Sequence, residues 1–354
     1  MFFMTNTEGK KSPGLSEVYE SGYAFSRKLI NYSNGVLKPQ LYVQYLNHVK
    51  SNKDRQAYKV GFDSWEQVFN GGLQAGLYVM GAVPGLGKTT LALQIATTVA
   101  KSNKHAVFVS LEMSETELYA KCLSNLSYTL SKDNDEIRAK KLQDILYDEK
   151  VYDKNKESDQ ELKKIEDSIF SLMKTYNEQI NPYLNIIGCN DEKDTFTTEN
   201  IENICKNYKE VHNCSPVIII DYLQLLEAYS IDEEFASKRL EMNYVVKALK
   251  SMSRKYDVPI LVISAITRSS YTKDGETYDS GIDMSCFKET GNIEYTADAL
   301  IVLTRGEKVK SLVKSEKTKI NVNVLKNRFG PCGKNLKLDF IPEYSYFEEP
   351  NSDK

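Results

Sequence analysis

Among 354 residues there are only three histidines, and the six cysteines (Cys122, Cys189, Cys205, Cys214, Cys286, Cys332) are scattered without a CxxC pair. Neither a zinc site nor a disulfide framework is signalled. Any metal is therefore expected to be a hard ion held by oxygens. No apolar run approaches the ~20 residues that span a bilayer, and MFFMTNTEGKK at the N-terminus lacks the apolar stretch of a secretion signal. A cytoplasmic protein with no membrane segment is expected. An excess of one charge is also missing, since 46 basic residues stand against 49 acidic ones for a net charge of −3. That excludes a chain that coats nucleic acid through an overall basic field, but not a ring or cleft that binds DNA locally. No internal repeat is found.

What is present is ordinary globular composition, 41% hydrophobic and 27% charged. The length suits two domains, or one large α/β domain with additions. Residues 1–57 read as a polar tail followed by a helical arm or linker, with two short helices broken near Asn34-Gly35. Beyond them LYVM (77–80), AVFVSL (106–111), PVIII (216–220), PILVIS (259–264) and DALIVL (298–303) are continuous apolar runs, the pattern of parallel strands buried on both faces. Helical stretches lie between them. Thr89–Lys101 turns Leu91, Leu93, Ile95, Ala96 and Val99 inward, and Arg239–Tyr256 does so with Leu240, Tyr244, Val245, Ala248, Leu249 and Met252. This alternation predicts a doubly wound, mostly parallel α/β sheet. INVNVL (320–325) and LKLDF (336–340) alternate instead, and FGPCG between them predicts a terminal antiparallel hairpin. Residues 131–165, rich in Lys, Asp and Glu, read as a solvated helical excursion. Residues 58–345 are taken as the folded domain and 346–354 as a disordered tail.

The strongest signal is GAVPGLGKTT, directly after one strand and directly before one helix. Counted back from Gly87-Lys88-Thr89, it is the alanine variant of the phosphate-binding loop, running from Ala82 through Pro84, Gly85, Leu86 and Gly87 to Lys88, Thr89 and Thr90. Glycines let successive backbone N–H groups turn inward around a triphosphate, and the helix N-terminus adds its positive end. Lys88 then reaches the β- and γ-oxygens of ATP, and the Thr89 hydroxyl ligates Mg²⁺. A glycine-rich turn alone would account for the glycines but not for Lys88 and Thr89 in register. Asp221, delivered to the tip of a buried strand by VIIID, is the expected second metal anchor, against the plainer reading of a helix cap. Glu112 in FVSLEMS is the expected water-orienting group at a neighbouring strand end, against the plainer reading of a first-turn helix glutamate.

Five segments carry a resemblance to a known family: VGFDSWEQVFNGGLQAGLYVMGAVPGLGKTTLALQIA, FVSLEMSETEL, IIIDYLQLL, FKETGNIEYTAD and LKNRFGP. In order and spacing they resemble the C-terminal motor domain of DnaB-type replicative helicases, a RecA-like hexameric ATPase, over about residues 58–345. The resemblance implies ATP bound between ring subunits, with Lys326 and Arg328 of LKNRFGP reaching a neighbour's γ-phosphate. It implies single-stranded DNA in the channel, faced by loops at about Glu227–Arg239 and Ser269–Lys288. Each loop nets −2, which disfavours phosphate contact, and leaves Lys238, Arg239, Lys273 and Lys288 as the DNA-binding candidates. The family's glutamine after the serine of the 259–264 strand is Ala265 here, so coupling to DNA is expected to change or to pass through Thr267 or Arg268. The arginine of the family's LRESG segment is Lys288, which keeps the charge and loses the bidentate fork. The family's collar domain finds no room in about 57 residues. The arm is left as a linker docking on the next subunit, and as a place where replication or mobile-element proteins would bind.

The resulting expectation is a Mg²⁺-ATP-dependent helicase motor in a hexameric ring. A DnaB-like ATPase that remodels or loads protein partners without unwinding DNA is the alternative. A nucleotide-binding scaffold without turnover is a third reading, one with no need of Lys88, Thr89, Glu112, Asp221 and Arg328 together.

Overall fold

The computed structural model describes residues 56–134, 137–147, 159–188, 195–229, 235, 237–267, 282–290, 293–306 and 317–350. The expected helical arm, Arg268 and Lys273 lie outside them, as do the side chain of Lys288, part of the first channel-facing loop and most of the second. After a short helix α1 (Asp63–Val68) the chain alternates. It runs through β1 (Gly76–Ala82), α2 (Lys88–Lys101), β2 (Ala106–Ser110), α3 (Glu115–Asp133), α4 (Leu142–Tyr147), α5 (Asp159–Gln179) and β3 (Leu184–Gly188). It continues with α6 (Thr198–Val211), β4 (Val217–Asp221), α7 (Lys238–Lys255), β5 (Pro259–Ser264), α8 (Ile293–Thr296) and β6 (Ala299–Arg305). The described chain closes on β7 (Thr318–Asn327), β8 (Lys334–Ile341) and β9 (Tyr346–Glu348).

The described strands form one nine-stranded sheet in the order β3-β2-β4-β5-β1-β6-β7-β8-β9. The five strands marked by apolar runs are parallel as expected: β1 pairs with β5 and β6, β2 with β4 and with the additional strand β3, and β4 with β5. β7, β8 and β9 then run antiparallel, the expected hairpin included. The five predicted strands are buried along nearly their whole length. Cutting any one of their Ile, Leu or Val side chains to Ala would cost roughly 2–5 kcal/mol, so the strand tips that carry the chemistry are held stiffly.

Four details differ from expectation. β3 is an addition to the predicted strands, an edge strand in which only Leu184 is buried. α7 packs inward through Val245, Leu249 and Met252, while Leu240 (52%) and Tyr244 (39%) face solvent. The excursion over 131–165 is solvated in the residues whose burial is described, 131–134 and 137–146, yet it is tied back to α3, since the Ser124 and Ser127 hydroxyls donate to the Lys140 carbonyl. Residues 346–350 are not a disordered tail. Phe347 is fully buried in β9, and the Gln94 amide both donates to its carbonyl and accepts from its N–H, each at 2.8 Å. Glu349 then accepts from the free backbone N–H groups of Asp63 (3.2 Å) and Ser64 (2.8 Å) at the start of α1.

Candidate active site

β1 stops at Ala82 and α2 starts at Lys88, so five residues reverse the chain at the carboxyl end of the central strand. Gly85 (φ 82°) and Gly87 (φ 80°) sit in left-handed backbone, which side chains rarely tolerate. A Cβ on Gly87 would also lie 2.9 Å from Phe347 Cζ and 3.0 Å from Phe340 Cζ. The turn thus rests on an aromatic floor, where Phe340 and Phe347 stack with centroids 4.4 Å apart. Ala82 and Leu86 are buried beneath it; Pro84, Gly85 and Gly87 face the open side with Lys88, Thr89 and Thr90. The first N–H groups of α2 have no helical partners and point the same way, as an anion site requires.

Strand register brings the remaining groups there. Ser110 lies opposite Asp221 across β2 and β4, and the Leu111 N–H donates to the Asp221 carbonyl at 2.6 Å. The loop beyond is pinned by Ser110, whose hydroxyl donates to the Met113 carbonyl (2.8 Å) and accepts from the Met113 N–H (3.0 Å). Glu112 is held between them, exposed at the rim. The Thr89 hydroxyl donates to Asp221 Oδ2 at 2.6 Å, and Lys88 Nζ donates back to the Ala82 carbonyl at 2.9 Å. Burial pushes the Asp221 carboxyl above its usual range, against the Thr89 hydrogen bond, and Glu112 adds to the rise. Burial lowers the Lys88 ammonium, against the pull of Asp221 and Glu112.

Lys88, Thr89, Glu112 and Asp221 therefore share one cleft of about 540 Å³, in the size range of small-molecule sites. The sequence reading did not single out Lys121, Phe340, Pro342 or Ser345 of the same lining. Lys121 stands four residues after Glu117 in α3, a spacing that reads as a surface ion pair. Only the fold turns it toward Asp221. Thr89 and Asp221 offer two hard oxygen donors to a cation, and no cluster of three or more His, Cys, Asp or Glu side chains exists among the described residues. That donor set fits Mg²⁺, which keeps most of its shell for water and phosphate rather than entering an all-protein cage.

Next to the cleft, Ala265 leaves an exposed step at the end of β5. Gln224 of the IIIDYLQLL segment fills the space: its amide donates to Ser264 Oγ (3.1 Å) and accepts from the Ala265 N–H (3.3 Å). Thr267, one of the expected alternative relays, is buried and donates its N–H to the Cys286 carbonyl.

Lys326 and Arg328 come together, but not in the cleft. Lys326 Nζ donates to the Glu294 (2.8 Å) and Tyr295 (3.3 Å) carbonyls at the end of α8, and Arg328 Nη2 donates to the Tyr295 carbonyl (3.2 Å). Arg328 Nη1 lies 3.4 Å from Asp298 Oδ1, and Asp298 Oδ2 accepts the Leu77 N–H at 2.8 Å. Leu77 stands at the start of β1, whereas the phosphate loop follows its end. The length of the strand separates the two, about 20 Å.

The family model of the DnaB-like helicase C-terminal domain matches residues 58–349. The chain belongs to this family. It is 27% identical over 288 residues to the replicative DNA helicase DnaB of Geobacillus stearothermophilus, covering 81% of this chain and 55% of that protein. It is 26% identical over 306 residues to the DnaB of Mycoplasma pneumoniae, covering 82% and 56%. The chain thus spans about half the length of the curated relatives it matches. Among solved structures, one ATPase domain superposes with a TM-score of 0.66 at 20% identity, over 90% of this chain and all of that one. A DnaB-like replicative helicase, whose structure addresses its interactions with primase, superposes with a TM-score of 0.65 at 20% identity, over 95% and 77%. The fold is that of a RecA-like DnaB ATPase domain.

Of the DNA-binding candidates of this DnaB-like domain, only Lys238 and Arg239 have side chains among the described residues. Lys238 pairs with Glu241 at 3.0 Å in the first turn of α7, and Arg239 is exposed beside it. No described helix is long and apolar enough to cross a membrane.

Proposed function

We propose that this chain is the motor portion of a DnaB-type replicative helicase, hydrolysing Mg²⁺-ATP at the subunit interfaces of a hexameric ring that translocates on single-stranded DNA. The observation that carries this reading is the separation of Arg328 from the cleft by the length of β1. An arginine side chain reaches about 7 Å from its Cα along its extended bonds, far short of ~20 Å of strand. Arg328 serves a γ-phosphate only if the phosphate belongs to another copy.

In this reading the loop N–H groups and Lys88 hold the β- and γ-phosphate oxygens. Mg²⁺, held by Thr89 and Asp221, neutralises phosphate charge. Glu112 orients the water for in-line attack, and Arg328 of the next subunit, with Lys326 beside it, faces the charge that develops on the γ-phosphoryl oxygens. Lys238, Arg239, Lys273 and Lys288 are the side chains available to DNA phosphates, and residues 1–57 the place for replication or mobile-element proteins.

The test is ATP hydrolysis by the purified protein with and without single-stranded DNA, with Lys88→Ala as the blank. Stimulation by DNA, together with strand displacement on a forked duplex, supports the motor. Hydrolysis indifferent to DNA favours a second reading, a DnaB-like ATPase that remodels protein partners. Ala265 supports that one, because it has no polar side chain of its own at the end of β5, and the amide beside it, that of Gln224, is taken up by Ser264 and the Ala265 N–H.

A further inference from the structure

Arg328 rides on a fixed main chain. Its own N–H donates to the Asp298 carbonyl at 2.9 Å. The preceding Asn327 donates to the Val68 (2.9 Å) and Pro331 (3.1 Å) carbonyls and accepts from the Phe329 N–H (2.9 Å). Phe329 stacks on Tyr78 with centroids 5.2 Å apart, and it lies so close over Gly76 that a Cβ there would meet Phe329 Cζ at 2.5 Å. The Arg328 side chain that this main chain carries is 47% exposed.

Two groups hold that side chain, the Tyr295 carbonyl at 3.2 Å and the carboxylate of Asp298. Asp298 is 5% exposed, and its two oxygens serve three donors: the Leu77 N–H, the Lys250 ammonium and the Arg328 guanidinium. Lys250 is itself 9% exposed and binds the same oxygen as Leu77. A buried carboxylate without a cation would be strongly penalised, and so would a buried ammonium without an anion. The pair makes each other tenable, and Arg328 is left with the second oxygen. Its contact of 3.4 Å is long beside the 2.7–2.9 Å of a strong charge-assisted hydrogen bond, whereas a phosphate offers the guanidinium a bidentate partner.

We propose that Asp298 is a positioning residue for the trans-acting Arg328: seated by Lys250, it keeps the guanidinium on the subunit face through a contact weak enough to yield to a neighbour's γ-phosphate. The proposal rests on the trans reading of Arg328 given above. It assigns Asp298 and Lys250 an effect on turnover and none on nucleotide binding.

The experiment uses the full chain carrying Asp298→Asn with Lys250→Met, which removes both buried charges together and keeps an oxygen for the Leu77 N–H. Arg328→Ala and the triple variant are measured beside it. The expected result is nucleotide affinity as in the unmodified chain, kcat lowered on the order of 10- to 100-fold by misplacement of the arginine, and no further loss when the pair is added to Arg328→Ala. An unchanged kcat in the pair variant, with Arg328→Ala inactive, overturns the positioning role and leaves the trans reading standing. A loss that repeats in the Arg328→Ala background also overturns it, because a purely structural defect acts whether or not the arginine is there. Normal turnover by Arg328→Ala removes the trans reading and the proposal with it.

Discussion

The two ends of β1 are opposites. At its carboxyl end the chain folds into a cleft where Lys88 bends back to the Ala82 carbonyl and Thr89 is bonded to Asp221. At its amino end Lys250 and Arg328 share one buried carboxylate, Lys326 binds the Glu294 and Tyr295 carbonyls beside them, and Tyr295 stands 71% exposed at the rim. One end is a cleft whose lining includes Lys88 and Lys121 but no arginine; the other carries Arg328. A strand buried along its length cannot bend to join them. On the proposed trans reading of Arg328, completeness is a property of two copies, and a lone subunit is expected to bind nucleotide far better than it turns it over.

The largest effect expected from this contrast is at the amino end. Arg328→Ala should lower kcat on the order of 10³- to 10⁵-fold at unchanged nucleotide affinity. Mixing it with the equally inactive Lys88→Ala should restore hydrolysis, since some interfaces then combine an intact loop with an intact arginine. A mixture as inactive as its parts would break the comparison. A smaller loss, on the order of 10²- to 10⁴-fold, is expected for Glu112→Gln, with nucleotide binding retained in a fluorescent-analogue titration. That result would sharpen the division between holding phosphate and activating water. The smallest effect is on stability. Burial, the leading influence, raises the Asp221 carboxyl in the folded chain, so its contribution is fully present below the ordinary aspartate range and is lost as pH rises through the raised value. Asp221→Asn should accordingly abolish hydrolysis yet melt a few degrees higher than the unmodified chain at neutral pH. The gap should close in acid, as followed by scanning calorimetry.

Much of this was legible in the chain. A strand buried on both faces needs an unbroken apolar run, so β1, β2, β4, β5 and β6 announce themselves, and the phosphate loop is marked by glycines that no other backbone would need. β3 escapes because Asn185 interrupts its run and its edge position leaves most of it half-exposed. Leu240 and Tyr244 obey the helical period yet face outward, because period tells which residues share a face and not which neighbours cover it. Asp298 gives no local sign of its three donors, which come from β1, α7 and the turn after β7. Glu349, too, is an ordinary acidic residue until the fold sets it at the start of α1.

Gln94 offers Phe347 a donor and an acceptor as a neighbouring strand would, which fastens β9 to the helix that springs from the phosphate loop. The ring pair under Gly87 therefore comes wholly from residues more than 250 positions downstream of it. For anyone shortening this protein, a deletion that stops short of Phe347 is a lesion of the nucleotide site, however remote it looks on a linear map.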